Sequence, residues 1–371
     1  MSSSIRLGKI FGIPITINYT WFVIVVLLTV QFATQSFPLD VRGAPRLAYW
    51  AFGLLTAVLL FVSVLLHELA HSLISRARGT PVEGITLFIF GGVSSISEES
   101  RRPQDELVMA AAGPFTSLVI AGLCYVLSRL AAAGGFPRSM LTNLAITNLG
   151  LAIFNMIPGF PLDGGRVLRS LLWWATSDMR LATRVASTIG RLVAIAMIVG
   201  GILLTLFGGG LTGLWLVVIG WFLENAANQS YQQLILREAL AGVKARDLMT
   251  ADCARIEDNP SLSTLVDEHI LREGRRCIIV THGDQLAGMI TLHSIKAVPR
   301  DAWPVTSAAQ AMIPVAELKT VDADASALDV LRLLDQSNIN QIPVLEAGRL
   351  AGMISREQIV RFIRMKAELG L

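Results

Sequence analysis

The apolar positions in the N-terminal part of the chain form long runs that contain no charged residue. A helix needs about 20 apolar residues to cross the roughly 30 Å of a bilayer core. The last run is too long for one typical span, and three consecutive glycines at 208–210 interrupt it, so we predict two helices joined by a tight turn there. The pattern therefore predicts six spans from five runs, which cover residues 10–39, 47–66, 107–128, 139–162 and 192–223.

A shorter pattern lies between the second and third runs. Residues 84–97 contain two β-prone segments divided by Gly91-Gly92, which predicts a β hairpin. Such a backbone reaches membrane depth only where it is buried in protein or lines a cavity. A small membrane-associated hairpin and a cytoplasmic structural hairpin are both open interpretations.

Composition supports the membrane interpretation. Of 371 residues, 53% are hydrophobic and only 16% are charged, against about 25% charged in a typical soluble protein. This balance excludes a disordered chain, a fibrous chain and an ordinary soluble enzyme. The net charge of +3 is too small to indicate a nucleic-acid partner. The leading class is an integral membrane protein whose partner is the lipid bilayer.

The distribution of lysine and arginine predicts the orientation of the spans. With six spans both termini lie on one side, which would hold thirteen basic residues against four on the other. We therefore expect both termini in the cytoplasm, a retained first helix without a cleavable signal, and a multi-pass protein of a prokaryotic plasma membrane. The four opposite residues are Arg42, Arg46, Arg129 and Arg138.

A soluble region with an internal repeat follows the membrane region. Residues 278–291 (IIVTHGDQLAGMIT) and 342–355 (IPVLEAGRLAGMIS) match at a constant offset of 64, which predicts one α+β unit used twice. We predict a membrane domain at 1–230, a linker at 231–242 and a soluble domain at 243–371. Its halves are 243–300 and 305–366.

The strongest chemical signal follows the second apolar run directly. His67-Glu68-Leu69-Ala70-His71 is an HExxH motif in a chain with only five histidines. On a helix, positions i and i+4 lie on one face, so two imidazoles can bind one Zn²⁺ while Glu68 acts on water. The alternative interpretation is a set of polar residues that reach from a helix end to the membrane surface.

A catalytic zinc normally takes a third protein ligand. Asp163 fits this role because it ends the fourth run at the same predicted depth as His67, after a segment that Pro158 and Pro161 interrupt. Irregular backbone at membrane depth is tolerated where it lines a cavity. The competing interpretation is that Asp163 only caps a helix. We expect one Zn²⁺ per chain.

These motifs resemble those of the site-2 protease family, whose members are intramembrane zinc metalloproteases. The resemblance covers residues 1–230 and rests on HELAH and, later in the chain, NMIPGFPLDGG. It implies His67, His71 and Asp163 as ligands, Glu68 as catalytic base and Asn155 as a second catalytic residue that binds substrate or the oxyanion. It implies close helix packing at Ala112-Gly113-Pro114. The substrate class implied is a single-span membrane protein, such as a membrane-bound regulator.

The repeat resembles a tandem pair of CBS domains over residues 243–366. Many such pairs bind adenosine nucleotides through a Ser or Thr and an Asp three residues later. Here Thr291 is followed by Ser294, and Ser355 by Gln358, so both acidic positions are missing. A ligand sensor and a dimerisation or structural module, the latter giving a homodimer, remain open.

The whole chain is thus predicted to be an α-helical polytopic membrane domain followed by a soluble α+β pair. Hydrolysis of peptide bonds within or near transmembrane segments is the function that the resemblance implies. Two other functions stay open: a membrane transporter regulated by the CBS pair, and a non-catalytic scaffold. We also hypothesise that the edge of the predicted hairpin at 84–97 accepts unwound substrate as an added strand.

Overall fold

The computed structural model divides the chain into two compact units, Met1–Leu234 and Ile235–Leu371. The structure describes residues 4–96, 100, 102–250, 255–257, 259–274, 277–282 and 285–369. The boundary between the units falls within one helix, α8, so residues 231–240 of the predicted linker are helical.

The first unit is built mainly from helices. Its first helix consists of α1 (Thr20–Gln31), a wider π-type turn (Phe32–Ser36) and α2 (Phe37–Asp40). The remaining helices are α3 (Arg46–Ala77), α4 (Pro103–Leu130), α5 (Phe136–Asn155), α6 (Asp163–Thr176), α7 (Met179–Leu204) and α8 (Gly210–Leu240). Helix α4 packs against α3, α5 and α6, and α1 packs against α3.

In the described part of the chain, four helices are long and apolar enough to cross a membrane: Thr20–Asp40, Arg46–Ala77, Pro103–Leu130 and Met179–Gly209. The other two predicted spans correspond to α5 and α8. Helix α5 carries three asparagines, Asn143, Asn148 and Asn155, within its 20 residues. The count of six spans therefore stays a prediction.

The triple glycine separates two helices, as predicted from the sequence. Helix α7 ends at Leu204, a turn covers Thr205–Gly209, and α8 begins at Gly210. Gly208 and Gly210 adopt φ values of +95° and +50°, a backbone region that glycine enters without a steric penalty. The glycines thus allow the chain to reverse between two apolar helices.

The N-terminal residues form strands, and the prediction of a helix from residue 10 is wrong there. Strands β1 (Ser4–Ile10), β2 (Ile13–Asn18), β3 (Val82–Phe88) and β4 (Gly91–Ile96) form one sheet in the order β1-β2-β3-β4. In β2, buried isoleucines alternate with half-buried polar residues or proline, which is the period of a strand. Absence of charge marked this segment as apolar, but its period of two favours a strand, and the helix begins only at Thr20.

Strands β3 and β4 pair antiparallel between Val82–Phe88 and Gly91–Ile96, where the sequence predicts a hairpin. Strand β3 also pairs in parallel with β2, so the hairpin belongs to a larger sheet. One edge of that sheet is β4 and the other is β1. The sheet rests on α3, because Ile13, Ile15 and Ile85 pack against Leu65 and Leu69 of that helix.

The second unit contains the predicted repeat. Its first half has α9 (Ala245–Leu248), β5 (Arg255–Ile256), α10 (Leu262–Leu265) with a π-type extension (Val266–Arg272), β6 (Cys277–His282), β7 (Gln285–Thr291) and α11 (Leu292–Lys296). Its second half has α12 (Ala308–Ala311), β8 (Ile313–Pro314), β9 (Val321–Asp322), α13 (Ala327–Gln336), β10 (Gln341–Glu346), β11 (Arg349–Ser355) and α14 (Arg356–Glu368).

The two halves match in register as well as in sequence. Cys277 pairs with Thr291 and Gln341 with Ser355, an offset of 64 at both ends of the hairpin. Each hairpin also shifts register at the same place, after Val280 and after Val344. The halves exchange short strands: β8 pairs with β7 of the first half, and Thr250 pairs with Met353 of the second. The repeat is therefore an interlocked pair of similar units.

Candidate metal centre

Helix α3 presents the two histidines of the HExxH motif on one face. His67 and His71 are 3% and 6% exposed, and their ring centroids lie 4.9 Å apart. The helix continues through both residues to Ala77. Burial of two imidazoles in apolar surroundings costs free energy unless their ring nitrogens have hydrogen-bond or metal partners.

Asp163 completes a cluster of three ligand atoms. It is the first residue of α6, and its Oδ2 lies 3.1 Å from His67 Nε2 and 3.2 Å from His71 Nε2. The two Nε2 atoms are themselves 3.2 Å apart. Among the described residues, these three side chains form a group that could hold one metal ion. The structure thus brings together the three residues that the sequence predicts as ligands.

Two contacts from α4 orient the imidazoles. His71 Nδ1 lies 2.7 Å from the Met109 carbonyl oxygen, and His67 Nδ1 lies 2.9 Å from Ser117 Oγ. A carbonyl oxygen only accepts hydrogen bonds, so His71 Nδ1 carries a proton and donates it to Met109, which leaves Nε2 as the ring nitrogen that faces the centre. Zinc-binding histidines characteristically donate their other ring N–H to such a partner.

The space between the ligands is kept open by Gly113. A Cβ added at this position would lie 2.1 Å from His71 Nε2 and 2.5 Å from His67 Nε2. Any side chain there would collide with the Nε2 atoms of both histidines. Two imidazoles, one carboxylate and this cradle suit Zn²⁺, which prefers N and O ligands of this kind.

Glu68 lies beside the cluster and contacts strand β4. Its Oε2 accepts a hydrogen bond of 2.8 Å from Ser94 Oγ, and Ser72 Oγ donates to Ser94 Oγ at 3.1 Å. A Cβ added at Gly92 would lie 2.4 Å from Glu68 Cγ, so glycine is needed for β4 to pass this closely. The edge strand and the glutamate of the motif are thus neighbours.

Asn155 ends α5 at the start of the irregular segment that leads to Asp163. Its Nδ2 donates to the Leu151 carbonyl oxygen within its own helix, at 3.1 Å. The cluster of ligand atoms comprises His67, His71 and Asp163 without it. Its predicted role toward substrate stays a prediction.

A buried ion pair holds the helix of Asp163 to the helix of Gly113. Arg169 of α6 donates from Nε to Glu106 Oε1 of α4 at 2.6 Å, and Glu106 is fully buried. The guanidinium also lies 5.0 Å from the centre of the Phe160 ring, in the segment before Asp163. Arg169 is one of the thirteen basic residues predicted on the cytoplasmic side, and its side chain is buried against Glu106 of α4.

Comparison with known proteins matches two families along the chain. Residues 55–134 and 128–200 match peptidase family M50, and residues 309–365 match the CBS domain. The chain is 34% identical over 378 residues to a Synechocystis sp. protein named "Putative zinc metalloprotease sll0528", covering 99% of this chain and 97% of that protein. It is 31% identical over 368 residues to the Mycobacterium tuberculosis protein "Putative zinc metalloprotease Rip3", covering 98% and 93%.

Among solved structures, the chain is similar to "Site-2 Protease from Methanocaldococcus jannaschii". The identity is 32%, with 62% of this chain and 95% of that chain covered, and the TM-score is 0.45. From the relatives and the family matches, the chain belongs to peptidase family M50, the site-2 protease family of zinc metalloproteases, and carries a CBS domain.

Proposed function

We propose that this chain is an active intramembrane zinc protease that cleaves single-span regulatory membrane proteins within or near their transmembrane segments. The observation that carries the proposal is the convergence of His67, His71 and Asp163 beside Glu68 in a buried site. The same observation disfavours a transporter, whose charged residues would be spread along a pathway, and a scaffold, which would not need this ligand set.

The chemistry divides among the residues of the site. A bound Zn²⁺ supplies Lewis acidity and lowers the pKa of a nearby water. Glu68 takes the proton of the attacking water and passes it to the leaving amine. Asn155 is the proposed donor to the oxyanion, which requires its side chain to turn away from Leu151. Gly113 allows helix α4 to pass close to both imidazoles.

We propose that substrate enters as an added strand on the free edge of β4. This strand ends the sheet order, and Ser94 on it contacts Glu68. An extended peptide on that edge would run past the glutamate, and main-chain hydrogen bonds would hold it there. Cysteine crosslinking from residues 86–96 to a substrate tests the idea, since crosslinks should concentrate in β4. Their absence from every position would reject it.

The Arg and Lys distribution supports a multi-pass protein of a prokaryotic plasma membrane with cytoplasmic termini. Reporter fusions at the C-terminus and in the loop at 131–135 test this arrangement. We further propose that the second unit regulates the protease or joins two copies. The mass of the detergent-solubilised full chain, with and without ATP, distinguishes these roles.

The central experiment compares wild type with Glu68→Gln during co-expression with candidate single-span regulators. Removal of the base should lower cleavage about 100-fold or more, while zinc content stays equal because both histidines remain. Glu83→Gln, an exposed glutamate on β3, is the matched control and should cleave as wild type does. Equal cleavage by Glu68→Gln would reject the assigned mechanism. A wild type that lacks zinc would favour the transporter.

A further inference from the structure

The N-terminal hairpin of β1 and β2 exposes an apolar surface that no described part of the protein covers. Every residue of β1 after Ser4 is exposed, whereas β2 alternates buried and half-buried positions. Four large apolar side chains are among the exposed ones: Ile5, Leu7, Ile10 and Phe11. The basic residues Arg6 and Lys9 lie between them in sequence.

The register gives this hairpin two chemically different faces. Ile5 pairs with Ile17 and Ile10 with Ile13, so these residues share one face, because paired residues point to the same side of a sheet. Arg6 pairs with Thr16 and Lys9 with Pro14 on the other face. The first face continues the apolar surface through which β2 packs on Leu65 and Leu69 of α3. The second face is basic.

The tip of the hairpin contacts the C-terminal end of α3, one of the apolar helices. The Phe11 carbonyl oxygen accepts a hydrogen bond of 2.5 Å from Arg76 Nη1, and Arg76 lies in the last turn of α3. Thr20, where the first apolar helix begins, follows β2 after a single residue. The hairpin is thus tied at both ends to helices that are apolar enough to cross a membrane.

Phe11 occupies a turn position that is unfavourable for a bulky residue, which suggests that its exposed side chain has a role. Phe11 and Gly12 have φ values of +50° and +78°, the pattern of a two-residue hairpin turn that normally prefers Asn, Asp or Gly at both positions. A phenylalanine there is strained and 69% exposed. Aromatic side chains concentrate at the membrane–water interface, which gives this placement a physical reason.

We propose that the β1–β2 hairpin is an interfacial anchor that binds the anionic phospholipid surface of the cytoplasmic leaflet. Ile5, Leu7, Ile10 and Phe11 enter the boundary between headgroups and acyl chains, and Arg6 and Lys9 contact lipid phosphates. The free backbone edge of β1 keeps the strand at the interface, since an open sheet edge is not stable in hydrocarbon. The anchor fixes the edge of the sheet opposite to β4.

The test uses the full-length chain, with its native cysteines replaced, reconstituted in vesicles. An environment-sensitive fluorophore is attached at Leu7→Cys, Phe11→Cys or, as the aqueous reference, Asp324→Cys in the second unit. We expect blue-shifted emission at residues 7 and 11, quenching by lipid-attached spin labels, and several-fold weaker quenching by iodide than at 324. Phosphatidylglycerol should strengthen these effects relative to phosphatidylcholine alone, and Arg6→Gln with Lys9→Gln should remove that dependence.

Two results would overturn the proposal. Iodide quenching at residues 7 and 11 equal to that at 324 would place the hairpin in water. Protection from iodide without quenching by lipid-attached labels, together with energy transfer between labelled copies, would assign the edge to a second copy of the chain. Catalysis plays no part in this measurement, so the Glu68→Gln variant should give the same result, and failure of the proposed protease function would be seen separately.

Discussion

The two units of this protein use polar side chains in opposite ways. In the first unit, polar groups from α3, α4 and α6 converge on one point, with the His67 and His71 Nε2 atoms and the Asp163 carboxylate facing each other. In the second unit, the two residues at the ribose-binding positions of each repeat form hydrogen bonds to each other's backbone. Ser355 and Gln358 each accept from the other's backbone N–H, at 3.2 and 2.7 Å.

Thr291 and Ser294 form the same reciprocal arrangement one repeat earlier, at 3.1 and 3.0 Å. This is a capping box, which satisfies the free N–H groups at the start of a helix. A side chain whose hydrogen bonds are made at its own helix end has no need of a ligand. Buried ligand atoms that face each other do need one, because desolvation is otherwise uncompensated. Whether a polar side chain makes its hydrogen bonds at its own helix end therefore distinguishes a structural residue from a candidate ligand-binding residue.

The largest effect is expected when a side chain is added at Gly113, beside the ligand atoms of the first unit. Gly113→Ala would place a methyl group against the Nε2 atoms of both histidines, so we expect zinc to be lost and cleavage abolished. Gly122→Ala on the same helix is the matched control, because a Cβ there has no heavy atom within 4 Å. Metal analysis of the purified proteins gives the result. Full zinc content in Gly113→Ala would mean that the ion does not sit between these residues.

The next effect concerns the buried ion pair that supports the centre. Arg169→Met removes the guanidinium that donates to Oε1 of the buried Glu106, and breaking such a buried pair costs about 3–5 kcal/mol. We expect a lower unfolding temperature in detergent and weaker zinc binding through Asp163. The double variant Arg169→Met, Glu106→Leu should recover most of the stability. A double variant as unstable as the single one would show that charge burial is not the cause.

A smaller effect is expected from the residue that orients His67. Ser117→Ala removes the partner of Nδ1, and loss of such an outer contact weakens metal binding about 10–100-fold. Ser128→Ala is the control, since Ser128 is buried on the same helix and bonds the Tyr125 carbonyl. Competition with a zinc chelator measures the affinity. Equal affinity in the two variants would remove Ser117 from the metal centre.

In the second unit, loss of a capping side chain should affect stability alone. Ser355→Ala should destabilise the unit by about 1 kcal/mol and leave zinc content unchanged. Differential scanning fluorimetry with and without ATP checks both parts of the comparison. If ATP stabilised the wild type and Ser355→Ala removed that stabilisation, Ser355 would be a ligand-binding residue and the contrast between the units would fail.

The smallest effect is a surface one. A hydrogen bond from Lys244, together with the charge of Arg246, holds the pKa of the Asp324 carboxyl below its usual value. The unfolded state therefore binds more protons at acid pH than the folded state does. The contribution of Asp324 to folding stability is present above its unfolded pKa of about 3.9 and is lost as pH falls toward its pKa in the folded state. In Asp324→Asn, the free energy of unfolding should fall slightly less steeply with decreasing pH than in the wild type, as measured by unfolding at a series of acid pH values. An unchanged pH dependence would show that solvent screens the charges of Asp324 and its two partners completely.

Much of the architecture follows from local pattern. The turn between α7 and α8 follows from three glycines, and the hairpins of the second unit follow from a repeat at offset 64. The N-terminal strands do not follow from the absence of charge, because an apolar strand and an apolar helix share that property. The alternation of Ile13, Ile15 and Ile17 is the pattern that predicts a strand there.

The sequence by itself determined the chemistry of the candidate site: HExxH fixes two imidazoles and a glutamate on one helix, because i and i+4 lie on the same face. It also indicated Asp163, as an acid at matching depth. Only the tertiary structure decided what surrounds them. The Met109 carbonyl, Ser117, the empty space at Gly113 and the contact from Ser94 come from chain segments distant in sequence. Spacing along one helix is set by backbone geometry, whereas the approach of another helix or strand depends on packing that no local pattern records.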